Sequence, residues 1–462
     1  MTTDRPGIVR RLYTGLLPLT AQASARFVWM SNFEAERFWT DKKAVQLPRL
    51  SQPEDAAIIN RLEETSLFLA EAPDLLILRE RSDQEFLDYL TELGYRLPTI
   101  LHADPPDNQT PIAEAVLANQ HLCGLLSQSS PDGVRPFFLP YAKTALEEQI
   151  SEKTGLQCLG PRAEVCAKIN SKVYSRTLSR ELGLRTIKGW ECESFGEIEA
   201  AFKGASRNLT VGQTLVLKES MGVSGKGLLI VDSERRAQQT LAMLKRKERN
   251  DSQFAFVLEQ WVDKLKDINY QIFISASGQV ELLAIKEIIA QKGVHLGHRF
   301  PPTLSRSQIE RYEQAGQAVG ARLFKEGYTG IVGIDSIIDH NHEIYPVLEI
   351  NARFNMSTYQ LGMERLIRPE AKVIAKAYPL QLKERLPFSR LIELIGPHLF
   401  RKGASDEGVI IQNFATVNAN NDSSGQPFKG RLYLLLMGED DHQLARLDRL
   451  ITGRLNPFQS PN

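Results

Sequence analysis

The sequence predicts an α/β protein with mixed α+β regions, divided into units at residues 1–150, 151–376 and 377–462. Three observations carry that expectation. Short apolar runs alternate with amphipathic stripes in the first unit, as in a small α/β layer. The middle unit sets strand patterns around a glycine-rich loop and an acidic hairpin. The last unit returns to two apolar strands and a closing helix. A domain holds about 100–200 residues, so 462 residues exceed one core.

Taken in order, Arg26-Phe27-Val28-Trp29-Met30 and Leu75-Leu76-Ile77-Leu78 read as buried strands. Phe86-Leu87-Asp88-Tyr89-Leu90 opens a helical stripe that stops near Gly94. Turn clusters at Asp104–Asn108 and Ser127–Pro136 lead to a boundary near residue 150. Ala167 to Leu182 reads as one helix closed by Gly183. Strands follow at Thr214–Lys218, Gly227–Val231, Phe256–Glu259 and Asn269–Ile274. Gln308 to Glu326 is a helix stopped by Gly327. Gly330–Asp335 and Ile344–Asn351 form a hairpin across Asp339–His342. Strands at Gly408–Ile411 and Arg431–Leu436, joined by the polar stretch Asn418–Gln426, precede a helix at His442–Ile451.

Composition removes several function classes. With 56 basic and 56 acidic residues the formal charge is zero, which gives no support to a nucleic-acid surface. No apolar run approaches the ~20 residues of a membrane span. Arg10-Arg11 followed by Leu12–Leu19 imitates a secretory leader, but Thr14, Gly15 and Pro18 break the apolar stretch and Asp4 sits in its charged end. Cys123, Cys158, Cys166 and Cys192 form no C-x-x-C pair. A cytoplasmic protein with reduced thiols is expected.

The residue types that carry chemistry gather in the middle unit. In Lys218-Glu219-Ser220-Met221-Gly222-Val223-Ser224-Gly225-Lys226-Gly227 a strand ends in lysine and a glycine loop leads to the next strand. Backbone N–H groups of such a loop cradle phosphate oxygens, and the lysine adds a compact positive charge. A P-loop is excluded, because Lys226 is followed by glycine and the loop opens a strand. Asp335, Glu349 and Asn351 sit on the hairpin. Residues two apart on a strand share a face, so Glu349 and Asn351 point together, with Asp335 placed to meet them. Two carboxylates and an amide oxygen are a hard-oxygen set suited to magnesium. Glu259-Gln260-Trp261-Val262 leaves an apolar strand and offers backbone groups to an adenine edge, and Asp267 offers a carboxylate to ribose. His295 and His298 lack a third ligand and read as loop residues. His340 and His342 read as a solvated hairpin tip. Arg299 is placed to touch phosphate or a substrate carboxylate, and Lys286 lies on an alternating strand before it.

Together these features, in this order, resemble the ATP-grasp superfamily over roughly residues 155–360. The resemblance implies a fold of two α+β subdomains clasping ATP, an N-terminal pre-ATP-grasp α/β domain and a small C-terminal α+β extension. It implies Lys172 as the first phosphate lysine, in preference to Lys168, and Lys218 as the second. Ser220, Gly222, Ser224, Gly225 and Gly227 form the phosphate loop. Glu259, Gln260, Trp261 and Val262 form the adenine linker, Asp267 (or Asn269) meets the ribose, and Lys286 adds a phosphate contact. Asp335, Glu349 and Asn351 become ligands of magnesium, two ions in all. Glu349-Ile350-Asn351-Ala352-Arg353 is close to the family's Glu-x-Asn-Pro-Arg, with Ala in place of Pro. Arg353, Lys218 and Arg299 carry the catalytic charge, with Arg353 expected to hold the carboxylate or, alternatively, to pair with Glu349.

The stretch Asn351–Tyr359 and the C-terminal region further resemble pheganomycin-type peptide ligases and the related ligases that load an amino acid onto a carrier protein in antibiotic biosynthesis. The implied reaction makes an acyl phosphate from a carboxylate and ATP, which an amine then attacks, releasing ADP and phosphate. The implied partners are an amino-acid or peptide carboxylate, an amine acceptor, a carrier protein if the acceptor is a thiol, and a second copy in a homodimer. A biotin-dependent carboxylase and a silent nucleotide-binding regulator are the rival readings.

Overall fold

The computed structural model describes residues 6–48, 53–128, 133–222, 227–291, 294–403, 405–422 and 425–458. Ser224, Gly225 and Lys226 of the expected phosphate loop lie outside them.

Strands β1 (Phe27–Met30), β2 (Leu75–Leu78), β3 (Thr99–His102), β4 (Phe137–Pro140) and β5 (Gln157–Cys158) form a parallel sheet in the order β3-β2-β1-β4-β5. Both faces of β1 are covered, which is why Phe-Val-Trp-Met runs unbroken by a polar residue. The connecting helices are capped as their sequences demand. Asp83 accepts the Glu85 N–H at the head of helix Gln84–Glu92. Thr144 and Glu147 form a capping box on helix Ala145–Thr154, which Gly155 ends in the left-handed region at φ 71°. The strand order reverses between β1 and β4, so the crevice beyond Met30 and Pro140 is where an open sheet of this kind receives ligands.

A smaller antiparallel sheet follows, in the order β6-β9-β7-β8: β6 (Gly189–Cys192), β7 (Leu215–Glu219), β8 (Leu228–Val231) and β9 (Phe256–Gln260). Helices Phe195–Gly204 and Glu234–Lys247 close its core with Ile198, Phe202, Ala237 and Leu244. Just before it, the single helix expected over Ala167–Leu182 is two helices, Ala163–Ile169 and Lys172–Glu181. The break falls at Asn170-Ser171, side chains that compete for backbone groups. Asn170 donates to the Cys166 carbonyl and accepts from the Ala352 N–H, while Ser171 caps the second helix through the Tyr174 N–H. The break places Lys172 at the first helical position.

The third sheet has eight antiparallel strands in the order β14-β13-β10-β11-β12-β15-β17-β16. They are β10 (Lys264–Ile274), β11 (Val280–Gln291), β12 (Val294–Phe300), β13 (Gly330–Asp339), β14 (Ile344–Asn351), β15 (Lys372–Leu382), β16 (Gly408–Asn413) and β17 (Phe428–Gly438). Two expectations are corrected here. The division at 376/377 falls inside β15, whose full length pairs with β17, so the C-terminal extension continues the central sheet. The His295–His298 stretch belongs to β12, and His298 is buried beside Gln360. One core joins Phe27 and Trp29 of the parallel sheet to Ile411 and Leu434 of the C-terminal strands.

Candidate nucleotide and carboxylate site

The register of the eight-stranded sheet builds the acidic centre. Asp335 on β13 stands opposite Glu349 on β14 and opposite Asn269 on β10, which in turn stands opposite Lys286 on β11. Glu349, Asp335, Asn269 and Lys286 therefore form one row on one face. Asn269 donates to Asp335 Oδ1 at 2.7 Å and Asn351 donates to its Oδ2 at 3.1 Å. Burial pushes the Asp335 carboxyl up to about 6, the Glu349 charge adds to this, and the two amides oppose it. A pair of carboxylates facing each other among apolar strands is costly unless a cation joins them. That excess of negative charge, with the Asn351 amide beside it, fits magnesium. Among the described residues no group of three or more His, Cys, Asp or Glu is assembled.

Across the cleft stand the lysines. Lys172, at its helix start, donates to the Gly222 carbonyl and to Glu349 Oε1, each at 2.8 Å. One side chain thus ties the phosphate loop to the acidic centre. Lys218, next to the end of β7, pairs with Glu259, which Arg176 approaches at 3.6 Å. Ser220 shares its hydroxyl with Ser171 at 2.7 Å, and its carbonyl accepts the Lys172 N–H at 2.9 Å. Gly227 has φ 80°, and a Cβ there would lie 2.9 Å from the Glu219 carboxylate, so glycine is required. Lys172, Arg176, Lys218, Val257, Glu259 and Val347 line one small cavity between the two sheets. Lys168, the alternative to Lys172, pairs with Glu326 away from this cavity.

Other expected residues fall differently. The Glu259 side chain is held by Lys218, and its backbone lies in the ladders to β6 and β7. The Gln260 and Trp261 N–H groups are spent on the Lys188 and Thr214 carbonyls. Val262 is the linker residue beyond those ladders, and Trp261 is half exposed. Asp267 is inside β10, on the face of Asn269, with Lys264 at 2.6 Å from its carboxylate. Lys286 does not line the cavity of Lys172 and Lys218: it donates to the Ser357 carbonyl and Gln360 Oε1, each at 2.9 Å. Arg299 stands opposite Glu287, on the face away from Lys286, and reaches Asp441 at 3.4 Å. Strand alternation therefore removes Arg299 from the catalytic set.

Arg353 is buried and committed. It donates to Asn351 Oδ1 at 2.8 Å and to the Phe354 carbonyl at 2.9 Å, lies 5.3 Å from the Tyr141 ring, and pairs with Glu36. The expected alternative pairing with Glu349 is replaced by this one. Desolvation works against its charge, but Glu36 and the neighbouring acidic groups outweigh it and raise its pKa. Among the described residues its buried Nε finds no hydrogen-bond partner. Glu36 lies hundreds of positions from Arg353 and gives no signal in the sequence. Asn269 had one, two residues past Asp267. The four thiols are free, and burial pushes Cys158 up to about 11 and Cys166 and Cys192 to about 12, which makes them poor nucleophiles.

Two family models match the chain. The family model of the pre ATP-grasp domain matches residues 63–156, and that of the ATP-grasp domain matches residues 179–354. The butirosin acyl-carrier protein–L-glutamate ligase of Niallia circulans is 32% identical over 319 residues, 68% of this chain and 70% of that protein. Among solved structures, the biotin carboxylase of Campylobacter jejuni in an ATP complex aligns over 93% of this chain and 91% of its own, with TM-score 0.57 and 15% identity. The biotin carboxylase domain of the Hydrogenobacter thermophilus 2-oxoglutarate carboxylase, solved as a dimer with MgADP, aligns over 94% and 90%, with TM-score 0.55 and 14% identity. At such identities the two structures speak for the fold alone.

Proposed function

Because the chain belongs to the ATP-grasp ligases that carry a pre-ATP-grasp domain, we propose that it activates an amino-acid or peptide carboxylate with ATP and joins it to an amine. The ATP-dependent ligase activity follows from the family; the substrates and the residue roles are the proposal. One observation supports it above the rest: the row Glu349–Asp335–Asn269 faces Lys172 across a cleft that Lys218 also lines.

Asp335, Glu349 and Asn351 would hold magnesium, which supplies charge neutralisation between phosphates. Lys172 exchanges its contact with Glu349 for phosphate oxygens as nucleotide enters. Lys218, with Ser220 and Gly222 beside it, would meet the γ-phosphate and offset its charge. The substrate carboxylate attacks that phosphate, breaks its bond to ADP and becomes an acyl phosphate. Arg353 Nε donates to the oxygen that gathers charge. The acceptor nitrogen then adds to the acyl carbon, loses its proton, and phosphate leaves. No side-chain nucleophile is needed, in keeping with the buried thiols.

The test is isotopic. A panel of amino acids, each with ¹⁸O in the carboxylate, is incubated with MgATP and an equal panel of acceptors. Label in inorganic phosphate with release of ADP supports the reading; label in AMP refutes it. A second acceptor, the thiol of a carrier protein, is suggested by the Niallia relative, a ligase of an acyl-carrier protein and L-glutamate. A thioester-linked amino acid on an added carrier protein, labile to hydroxylamine, separates the two.

A further inference from the structure

Between β1 and β2 the chain leaves the parallel sheet and reaches both sides of the cleft. Its first stop is the short 3-10 helix Ala35–Phe38, whose Glu36 pairs with Arg353. Both partners are nearly sealed from solvent, with side-chain exposures of 10% and 8%, so neither finds compensation in water if the other is lost. Arg353 holds Asn351, and Asn351 holds Asp335. Glu36 thus stands at the head of a chain of contacts that ends on the acidic centre.

The second stop is the small sheet. Val45 donates its N–H to the Gln253 carbonyl at 2.9 Å, and Gln253 returns one to the Lys43 carbonyl at 3.0 Å. Lys247 Nζ donates to the Gln46 carbonyl at 2.5 Å. The Leu47 N–H donates to the carboxylate of Glu219, the residue after Lys218. Val45 and Leu47 are buried in the core of the small sheet itself. Between the stops, Trp39 Nε1 donates to the Lys143 carbonyl at 3.0 Å, which fixes one point on the parallel-sheet side. Only the stretch from Trp39 to Ala44 is left as a leash, and an extended chain spans at most about 3.3–3.6 Å per residue. The small sheet cannot swing far without drawing on Trp39 and the helix that ends against it.

We propose that Glu36 is the positioning residue for Arg353 and that the strap from Glu36 to Leu47 carries closure of the small sheet over nucleotide to that arginine. The inference rests on the ligase reading for what Arg353 acts upon, but the strap itself is tested with nucleotide alone. Arrival of nucleotide at Lys218 moves the strand end that grips Leu47, and the far end of the strap answers at Arg353. Activation of the carboxylate is thereby tied to a closed cleft, where an acyl phosphate is kept from water.

Hydrogen exchange of the full chain with MgADP as the probe tests this. In the wild type, protection rises at residues 215–222, and with it at 33–40 and 351–356. In Val45→Pro, which removes the N–H given to Gln253, the response at 215–222 stays and those at 33–40 and 351–356 vanish. In Glu36→Gln the responses at 215–222 and 33–40 stay and only that at 351–356 falls. The latter variant keeps its affinity for MgADP within about threefold and loses at least tenfold in kcat for donor-dependent phosphate release, with Glu36→Asp recovering part of it. Unaltered responses at 33–40 and 351–356 in Val45→Pro, or a wild-type response confined to 215–222, would overturn the proposal. No wild-type response at 215–222 at all would refute the nucleotide-binding reading, and the coupling with it.

Discussion

Lys286 offers a measurement that needs no substrate. Its ammonium is buried on β11, and burial lowers its pKa from 10.5 to about 7, with Glu364 pulling weakly the other way. The neutral amine still has two hydrogens, enough for the Ser357 carbonyl and Gln360 Oε1. Between pH 7 and 10.5 the unfolded chain therefore holds the extra proton, and stability rises with pH through that window. The slope cannot exceed about 1.4 kcal/mol per pH unit, so from pH 7 to pH 9 the gain is roughly 2 kcal/mol. Below pH 7 both states carry the charge and the penalty is constant, at most about 4–5 kcal/mol. Lys286→Met keeps the length and deletes the titration, and also the two hydrogen bonds, worth about 1 kcal/mol each. Urea unfolding followed by tryptophan fluorescence at pH 7, 8 and 9 should show the variant exceeding wild type by about 2 kcal/mol at pH 7 and the gap closing to about zero by pH 9. Parallel stability–pH curves for the two proteins would refute the assignment of a neutral lysine.

Other perturbations address the cleft. Asp335→Asn combined with Glu349→Gln removes both carboxylates of the acidic centre and should abolish MgATP turnover, read as phosphate release, while the protein still unfolds cooperatively. Lys218→Ala should lower turnover by about a hundredfold or more, whereas Lys168→Ala, on the outside, should leave it within about twofold. Gly227→Ala should cost about 1–2 kcal/mol of stability in thermal unfolding, because an L-residue at φ 80° is strained and its Cβ meets Glu219, and it should raise the KM for ATP.

The sequence was most informative where chemistry and periodicity coincide. Glu349 and Asn351 two apart on a strand, with an apolar hairpin bringing Asp335 opposite, could be placed on one face before any coordinates. The strand that carries Lys218 was legible from its apolar run. What failed did so for physical reasons. Asn170-Ser171 broke a helix whose apolar pattern ran straight through it, since side-chain capping competes locally with a periodicity that senses only burial. Arg299 was placed near phosphate by its chain position, but the pairing with Glu287 turned it to the other face. β15 was cut at 376/377 because a strand that crosses two patterns leaves no mark of its partner, and its partner β17 begins at Phe428. Glu36 shows the deeper limit: a buried ion pair between distant segments has no local signature.

The shared core has a consequence for dissecting or recombining this enzyme. Trp29 near the start of the chain and Leu434 near its end pack into a single apolar cluster, so neither terminal part brings a complete interior of its own. A fragment cut near residue 150 would expose Phe27, Trp29 and Leu139, and a fragment beginning near 377 would lack Val373–Lys376, the part of β15 that pairs with β12. Specificity exchanges between relatives that transplant the C-terminal third alone should therefore yield aggregates rather than hybrids. The small sheet, whose core among the described residues draws only Val45 and Leu47 from the first hundred, is the part that tolerates exchange, provided those two positions travel with it.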